Sequence, residues 1–422
     1  MPLQTDDIAK FTNKSCPLAP EGFEPSPDHL KTLQETKVLV IGAGGLGCEI
    51  LKNLALSGFR DIHVIDMDTI DVSNLNRQFL FRRKDVGQPK ATVAAAFIEK
   101  RCPGVKVTPY FGKIQDKDEE YYAQFKLVIA GLDSVEARRW INSMLVGMVE
   151  LDDDGDIADP DTIIPLIDGG TEGFKGHARL ILPRISSCFE CSLELFPPQV
   201  LFQMCTIAHT PRLPEHCIAY ASQVLWPQER ANVKMDTDNA DHMLWLYEKA
   251  KARAAEFGIE GVTLKKTQGV VKNIIPAIAS TNAAIAAAEV NEALKFVTTV
   301  APSLDNYMMY NGVTGLYTYT FEYQQRESCV VCGTASLKLS FSKDDKVSLL
   351  LDKLAENPLY QLKKPSLRTA KSTIYMQGAL SKQLAPNLEK KISDFVGEND
   401  VISVTDPALN DIILEVLVRF EN

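Results

Sequence analysis

Short apolar runs alternate with helical stripes over the first three hundred residues. Residues 38–41 (Val-Leu-Val-Ile) form a mostly β-branched run of the kind a parallel strand takes when both of its faces are covered. A glycine turn follows, then a helical pattern over 49–57 and a second run at 62–65 that ends in Asp66, which completes one βαβ unit. The spacing predicts an Ala-rich helix over 90–100, strands at 105–111 and 127–130, and a helix over 135–148 capped by Asp133 or Ser134. Residues 165–170 resume the core, and 176–183 alternate as an exposed strand would.

From 188 to 261 the rhythm breaks into prolines, scattered aromatics and a helical stretch near 241–257, which reads as an insertion. A long Ala-rich helix over 272–297 and a strand pair at 307–323, turning at Asn311-Gly312, return to the first pattern. Beyond 336, short elements at 337–341, 347–354, 372–376, 387–395, 401–405 and 412–420 describe a small mixed domain. Residues 1–35 are Pro-rich and read as an arm, with a short helix beginning after Pro27. The expected fold is α/β: a Rossmann-like, mostly parallel sheet over 36–195 and 262–335, an inserted domain over 196–261, and a terminal domain over 336–422.

Composition narrows the functional classes. The chain has 422 residues, 45% hydrophobic and 24% charged, and suggests two to three domains. No apolar run approaches the roughly 20 residues of a membrane span, and the polar start, 1–10, is not a signal peptide. A net charge of −10 opposes nucleic-acid binding, which needs a basic face. Nine cysteines, unevenly spaced and including two C-x-x-C pairs, fit a reducing compartment better than a disulfide framework. That places the chain in cytoplasm and nucleus. Seven acidic residues in 150–161 read as a solvated loop.

Gly42, Gly44 and Gly47 fall on G-x-G-x-x-G, with Gly45 between, just where a helix opens and its free N–H groups favour an anion. Taken alone, this turn serves NAD or FAD equally well. Cys188, Cys191, Cys329 and Cys332 suit a closed tetrahedral zinc site, with a redox dithiol as the other reading. Cys205, in Gln203-Met-Cys-Thr-Ile207, reads on its own as a buried apolar thiol. Arg77 and Lys90 read singly as surface charges, and Asp133 as a helix cap.

The runs Asp66-Met-Asp68, Asn74-Leu-Asn76-Arg77-Gln78-Phe79, Gly87-Gln-Pro-Lys90 and Gly131-Leu-Asp133-Ser134 go beyond what a dehydrogenase needs. With Gly169-Gly170, Met204-Cys-Thr-Ile207, Arg212-Leu-Pro-Glu-His-Cys217 and the cysteine pairs, they resemble the ubiquitin-activating enzyme superfamily, which includes bacterial molybdopterin-synthase and thiamine-pathway adenylating proteins. Within it, the chain is similar to the catalytic subunits of the branch that activates the Nedd/Rub modifier.

The resemblance implies an adenylation domain, a catalytic-cysteine insertion and a C-terminal β-grasp ubiquitin-fold domain that captures the carrier (conjugating) enzyme. It implies ATP, Mg²⁺ and a structural Zn²⁺, with Arg77 and Lys90 as phosphate cations, Asn74, Gln78 and Asp68 as polar neighbours, Asp66 on the ribose and Asp133 on Mg²⁺. Cys205 would form a thioester by attack on the activated acyl-adenylate with no dedicated base needed, His209 being the alternative in which a base assists. Arg179 would face the modifier's tail and reject ubiquitin by like charge. A noncatalytic adenylation-like partner subunit, of the amyloid-precursor-binding-protein type, is implied as well. Three rivals remain: the catalytic subunit of the SUMO-activating enzyme, which usually has a longer charged tail; a noncatalytic Rossmann scaffold; and an NAD-linked oxidoreductase.

Overall fold

A computed structural model describes residues 6–14, 19–152, 155–196, 211–231, 233, 235–236, 239–271, 277–333, 337–357, 359–369, 372–377, 381–409 and 412–420. The chain divides into two compact units, Met1–Phe196 with Ala277–Asn422, and Pro197–Pro276.

The first unit is organised by an eight-stranded sheet made of β1 (Lys37–Ile41), β2 (Asp61–Asp66), β3 (Lys106–Phe111), β4 (Leu127–Ala130), β5 (Leu166–Glu172), β6 (Lys175–Ile181), β7 (Tyr307–Asn311) and β8 (Tyr317–Phe321). The order is β3-β2-β1-β4-β5-β6-β7-β8. β3 through β5 pair in parallel, and β5 through β8 pair antiparallel. Side-chain alternation explains why the first strand is apolar throughout. Val38 and Val40 pack with the helices Gly45–Ser57, Lys90–Arg101 and Ala279–Thr298, while Leu39 and Ile41 pack on the opposite face with Ile141, Leu145 and the four cysteines. Sequence neighbours β1, β2 and β3 run one way across the sheet, and β4 starts the other. The order therefore reverses between β1 and β4, and the crevice beyond the carboxyl ends of those strands is where open α/β sheets bind ligands.

Several elements differ from the sequence expectation. The first helix opens at Gly45 rather than residue 49, because glycine's low propensity hides a turn whose N–H groups face outward. β6 is an interior strand between β5 and β7, and it buries Ala178 through Ile181. The long helix begins at Ala279 rather than 272, and the expected two-residue turn at Asn311-Gly312 is a loop over 312–316. Residues 1–35 are more than an arm. The helix Asp28–Glu35 sends a fully buried Leu33 into the main core.

The C-terminal residues form a second sheet in the order β11-β10-β12-β13-β9, made of β9 (Leu337–Phe341), β10 (Ser366–Arg368), β11 (Thr373–Tyr375), β12 (Val401–Thr405) and β13 (Leu414–Phe420). Its first and last strands pair in parallel, and the helix Val347–Glu356 places Leu350 and Leu354 on a common core with Ile402, Val404 and Val416, as a β-grasp domain does.

The second unit is helical: Pro214–Tyr220, Trp226–Glu229, Ala240–Glu256 and Leu264–Val271 surround Ile218, Trp226, Met243 and Leu246. Its end at Pro276, rather than 261, follows from Leu264–Val271, which buries Thr267 and packs Val270 and Val271 on that core. Among the described residues no helix is long and apolar enough to cross a membrane.

Candidate functional site

The glycine turn between β1 and the helix Gly45–Ser57 is shaped by close backbone contacts. Gly42 has φ +95°, and a Cβ there would come within 2.7 Å of the Gly131 carbonyl. A Cβ on Gly47 would collide with the Gly42 carbonyl, so the third glycine lets the helix sit directly on the turn. Gly44 differs: the Gln78 Nε2, at 3.9 Å, is the nearest group to its missing Cβ. The helix has no side-chain cap at Gly44, so its first N–H groups are left for an anion.

Around this turn the structure gathers most of the residues expected from sequence. Asp66, at the end of β2, accepts from the Ala43 N–H (2.6 Å) and the Asp68 N–H (2.7 Å). Burial nevertheless raises its pKa above the usual carboxylate range. Each of its oxygens retains acceptor capacity for a hydroxyl. Lys90 opens the helix Lys90–Arg101 with only 7% of its surface exposed, and its Nζ lies 2.8 Å from Asp68 Oδ2. Gln78 is buried with its Oε1 unpartnered, a polar group prepared for something from outside the chain.

Asn74 builds the loop that carries these groups. Its Oδ1 accepts from the Asp71 N–H, and its carbonyl accepts from the N–H groups of Arg77 and Gln78. The Arg77 stem lies over Gly45, but its Nη1 donates to the Ser73 carbonyl and Asn76 Oδ1, both at 3.1 Å. Its guanidinium is thus turned toward its own loop and would have to swing inward to meet a phosphate. Asp133 follows β4, across the switch point from the glycine turn. Ser134, and not Asp133, caps the helix Val135–Gly147 by accepting from the Ala137 N–H. The exposed Asp133 carboxylate makes no hydrogen bond or ion pair with the described residues. The uncapped helix start at Gly44 with the Lys90 and Arg77 side chains suits the phosphates of a nucleoside triphosphate, and the unpartnered Gln78 Oε1 is an acceptor for one of its hydroxyl or amino groups. The buried Cys48, whose thiol burial pushes up to about 12, lies behind the turn as an inert core residue.

The four cysteines come together in the core beneath β4. Cys188 Sγ lies 3.6 Å from Cys329 Sγ and 3.9 Å from Cys191 Sγ, Cys191 Sγ lies 3.4 Å from Cys332 Sγ, and all four sulfurs fall within 4.8 Å of one another. Those separations are too long for disulfides and close to the roughly 3.8 Å edge of a sulfur tetrahedron built on Zn–S bonds of about 2.3 Å. The Arg326 N–H donates to Cys191 Sγ at 3.4 Å, the contact a metal-bound thiolate accepts. Beside the cluster, Arg139 pairs with Glu190 in a buried fork and donates to the Tyr360 carbonyl at 3.1 Å, and Gln361 Nε2 donates to the carbonyls of Leu193 and Phe196. These bonds tie Arg139 and the segment after Cys191 to the β-grasp domain.

Arg179 corrects an expectation. On a strand expected to be exposed, and expected itself to face the modifier's tail, it is only 3% exposed: its guanidinium pairs with Asp168, reaches Ser192 Oγ, and is enclosed by the rings of Phe189, Phe196 and Tyr307. Both faces of β6 are covered, Ala178 and Leu180 packing in the core with the helix Ala279–Thr298 and Ile181 in the core with the cysteines. Arg138 also pairs with Asp168 (2.8 Å) and donates to the Gly169 carbonyl. Burial opposes the charge on Asp168, yet Arg138, Arg179 and His177 outweigh it and hold the carboxyl well below the usual range. Burial keeps His177 neutral, and burial beside Asp168 raises Glu289 well above the carboxylate range. Two guanidiniums therefore face one ionised carboxylate, and the cluster carries net positive charge.

Cys205 and His209 lie outside the described residues. In the helical unit, His216 Nδ1 accepts from the Arg212 N–H at 3.1 Å, which orders the start of Pro214–Tyr220, and Cys217 is buried. Sequence reading missed Asn282 and Glu289. Both sit inside an Ala-rich helix where a lone polar residue gives no periodic signal.

Comparison with known proteins agrees with this geometry. The ThiF family matches residues 21–331, and an E2 binding domain matches residues 340–418. The chain belongs to the ThiF family. It is 60% identical over 416 residues to a Dictyostelium discoideum protein named NEDD8-activating enzyme E1 catalytic subunit, covering 96% of this chain and 93% of that one. Identities are 50% to the Drosophila melanogaster protein of that name, over 93% of this chain and 88% of the relative, and 48% to the Caenorhabditis elegans one, over 97% and 96%. The chain is therefore a member of the NEDD8-activating enzyme E1 catalytic subunits within the ThiF family. A ThiF domain joined to an E2 binding domain also removes the noncatalytic scaffold and oxidoreductase readings, and this membership removes the SUMO branch.

Proposed function

We propose that the chain activates the Nedd/Rub modifier in two steps. The modifier's terminal glycine carboxylate attacks the α-phosphate of ATP, forming an acyl-adenylate and releasing pyrophosphate. The Cys205 thiolate then attacks the acyl carbon and expels AMP, leaving a thioester that passes to a cysteine of the conjugating enzyme. The observation that supports the first step best is the uncapped helix start at the glycine turn, with Asp66 held on the Ala43 N–H and the buried Lys90 ammonium on Asp68. Negative charge develops on phosphate oxygens in that step, and a preorganised cation and helix N–H groups stabilise it.

In this reading Arg77 swings from Ser73 toward the phosphates, Lys90 meets them from the opposite side, and Asn74, Gln78 and Asp68 hold the loop between. Asp66 takes the ribose. Asp133 would hold Mg²⁺, which neutralises phosphate charge. Cys188, Cys191, Cys329 and Cys332 would hold Zn²⁺ as a structural brace, because four thiolates leave no open coordination position.

The acyl-adenylate is activated enough that Cys205 needs no dedicated base, although an ordinary thiol is only about 3% ionised at pH 7. Arg179 enters modifier selection through the net positive cluster it forms with Arg138 and Asp168, whose field is poorly screened inside the protein and opposes an arginine-bearing tail. A noncatalytic adenylation-like subunit of the amyloid-precursor-binding-protein type completes the enzyme, the β-grasp domain receives the conjugating enzyme, and the complex works in cytoplasm and nucleus.

The test separates the two steps. In the reconstituted heterodimer, Cys205→Ala should keep modifier-dependent ATP:pyrophosphate exchange while losing the thioester. Loss of exchange in a folded Cys205→Ala protein would overturn the division between nucleotide site and thiol.

A further inference from the structure

The glycine turn has a neighbour that none of the expected site residues accounts for. Asn282 sits in the first turn of the helix Ala279–Thr298 and is 2% exposed. A Cβ on Gly45 would collide with its Nδ2, while the Arg77 Cγ lies 3.5 Å from the same point. Asn282 and Arg77 thus share the space above Gly45. The other end of the amide is fixed: the Thr171 hydroxyl, at the end of β5, donates to Asn282 Oδ1 at 2.7 Å. That bond leaves Nδ2 as the end facing the turn, and Nδ2 has no hydrogen-bond partner among the described residues. One residue back, Thr281 Oγ1 donates to the Gly173 carbonyl at 2.8 Å, so the same helix turn also grips the β5–β6 connection.

An amide fixed at its Oδ1 by Thr171, with its Nδ2 over a helix start whose own N–H groups have no side-chain cap, is an arrangement in which one anionic acceptor could meet both. We propose that Asn282 Nδ2 donates to a phosphate oxygen of the bound nucleoside triphosphate, and that Thr171 is the positioning residue that orients the amide for it. This rests on the nucleotide reading of the turn. The role explains why position 45 is glycine: the space its side chain would fill belongs to Asn282. It also ties nucleotide binding to β5, the strand that carries Asp168 and pairs with the strand of Arg179.

The test measures binding of a non-hydrolysable ATP analogue to the reconstituted heterodimer by calorimetry, together with KM for ATP and for the modifier in pyrophosphate exchange. Loss of one hydrogen bond to a charged acceptor predicts a Kd about tenfold higher for Asn282→Ala, with the modifier's KM unchanged. Asn282→Asp, which keeps size and the Thr171 contact but turns a carboxylate toward the phosphates, should bind more weakly than Asn282→Ala. A purely structural role would give the reverse order. Thr171→Val should weaken binding by about threefold and Thr171→Ser should restore it. If Asn282→Ala does not assemble, the Thr171→Val and Thr171→Ser pair carries the test alone. Wild-type affinity in a folded Asn282→Ala protein, or a rise in the modifier's KM with ATP binding unchanged, would overturn the proposal. Failure of the wild-type complex to bind the analogue would instead overturn the nucleotide reading itself.

Discussion

Glu289 offers a stability measurement whose sign follows from the structure. It lies in the middle of the helix Ala279–Thr298 with no exposed surface, and neither carboxyl oxygen has a hydrogen-bond partner. A Cβ on Gly169 would come within 2.5 Å of its carboxyl carbon, which leaves no room for a solvating water on that side. Burial, and then the negative charge of Asp168, raise its pKa well above the ordinary range, against a weaker pull from Arg138. The folded chain therefore keeps a proton that the unfolded chain loses near pH 4.3. Between that pH and the raised folded value, the folded state binds more protons, so stability falls as pH rises by about 1.4 kcal/mol per unit.

Glu289→Gln replaces the carboxylic acid with a neutral group of the same shape and removes that slope. Near pH 4.5 the variant and the wild type should melt together. As pH rises above that point the variant should become progressively more stable than the wild type, by at most about 1.4 kcal/mol per unit, because it avoids the proton uptake. Thermal or urea unfolding of both proteins across pH 4.5 to 8 reads the difference. A gap independent of pH, or one in which glutamine becomes increasingly destabilising as pH rises, would show that Glu289 is ionised and paired, and the account of this buried cluster would be wrong.

Other consequences are simpler to check. Lys90→Ala should slow modifier-dependent pyrophosphate exchange by roughly a hundredfold, since an oriented cation in a water-poor site is commonly worth on the order of 3 kcal/mol of barrier; a change below threefold would return Lys90 to a structural partner of Asp68. Cys188→Ser should reduce metal content from about one zinc per chain toward zero and lower the unfolding midpoint by several degrees; unchanged zinc by elemental analysis would refute the four-thiolate site. Arg179→Gln should let ubiquitin support exchange where the wild type excludes it. If ubiquitin remains inert, the positive cluster is structural alone.

Much of the adenylation core is legible in the sequence because its determinants are local. Val38 through Ile41 are apolar on both faces, the glycines at 42 and 47 mark a turn with backbone contacts too close for a Cβ, and the two C-x-x-C pairs mark by their spacing the four thiols that meet in the core. What the sequence conceals depends on partners far along the chain. β6 reads as exposed until β7, more than a hundred residues later, covers its second edge. Arg179 reads as a surface charge because Asp168 and Ser192, which neutralise and hold it, become its neighbours only through sheet pairing. Asn282 and Glu289 lie in an alanine-rich helix whose pattern says nothing about which polar side chain meets the glycine turn or Gly169. The inserted unit runs past 261 because Thr267 joins a core that four separate helices assemble.

The central claim, that this chain with its partner subunit charges a Nedd/Rub modifier onto Cys205, is tested most directly on non-reducing gels. The reconstituted heterodimer is incubated with Mg-ATP and, separately, with Nedd/Rub, SUMO or ubiquitin. A dithiothreitol-sensitive adduct with Nedd/Rub is expected that requires ATP, disappears in Cys205→Ala, and is absent or minor with SUMO and ubiquitin. No adduct with Nedd/Rub, or an equal adduct in Cys205→Ala, would contradict it.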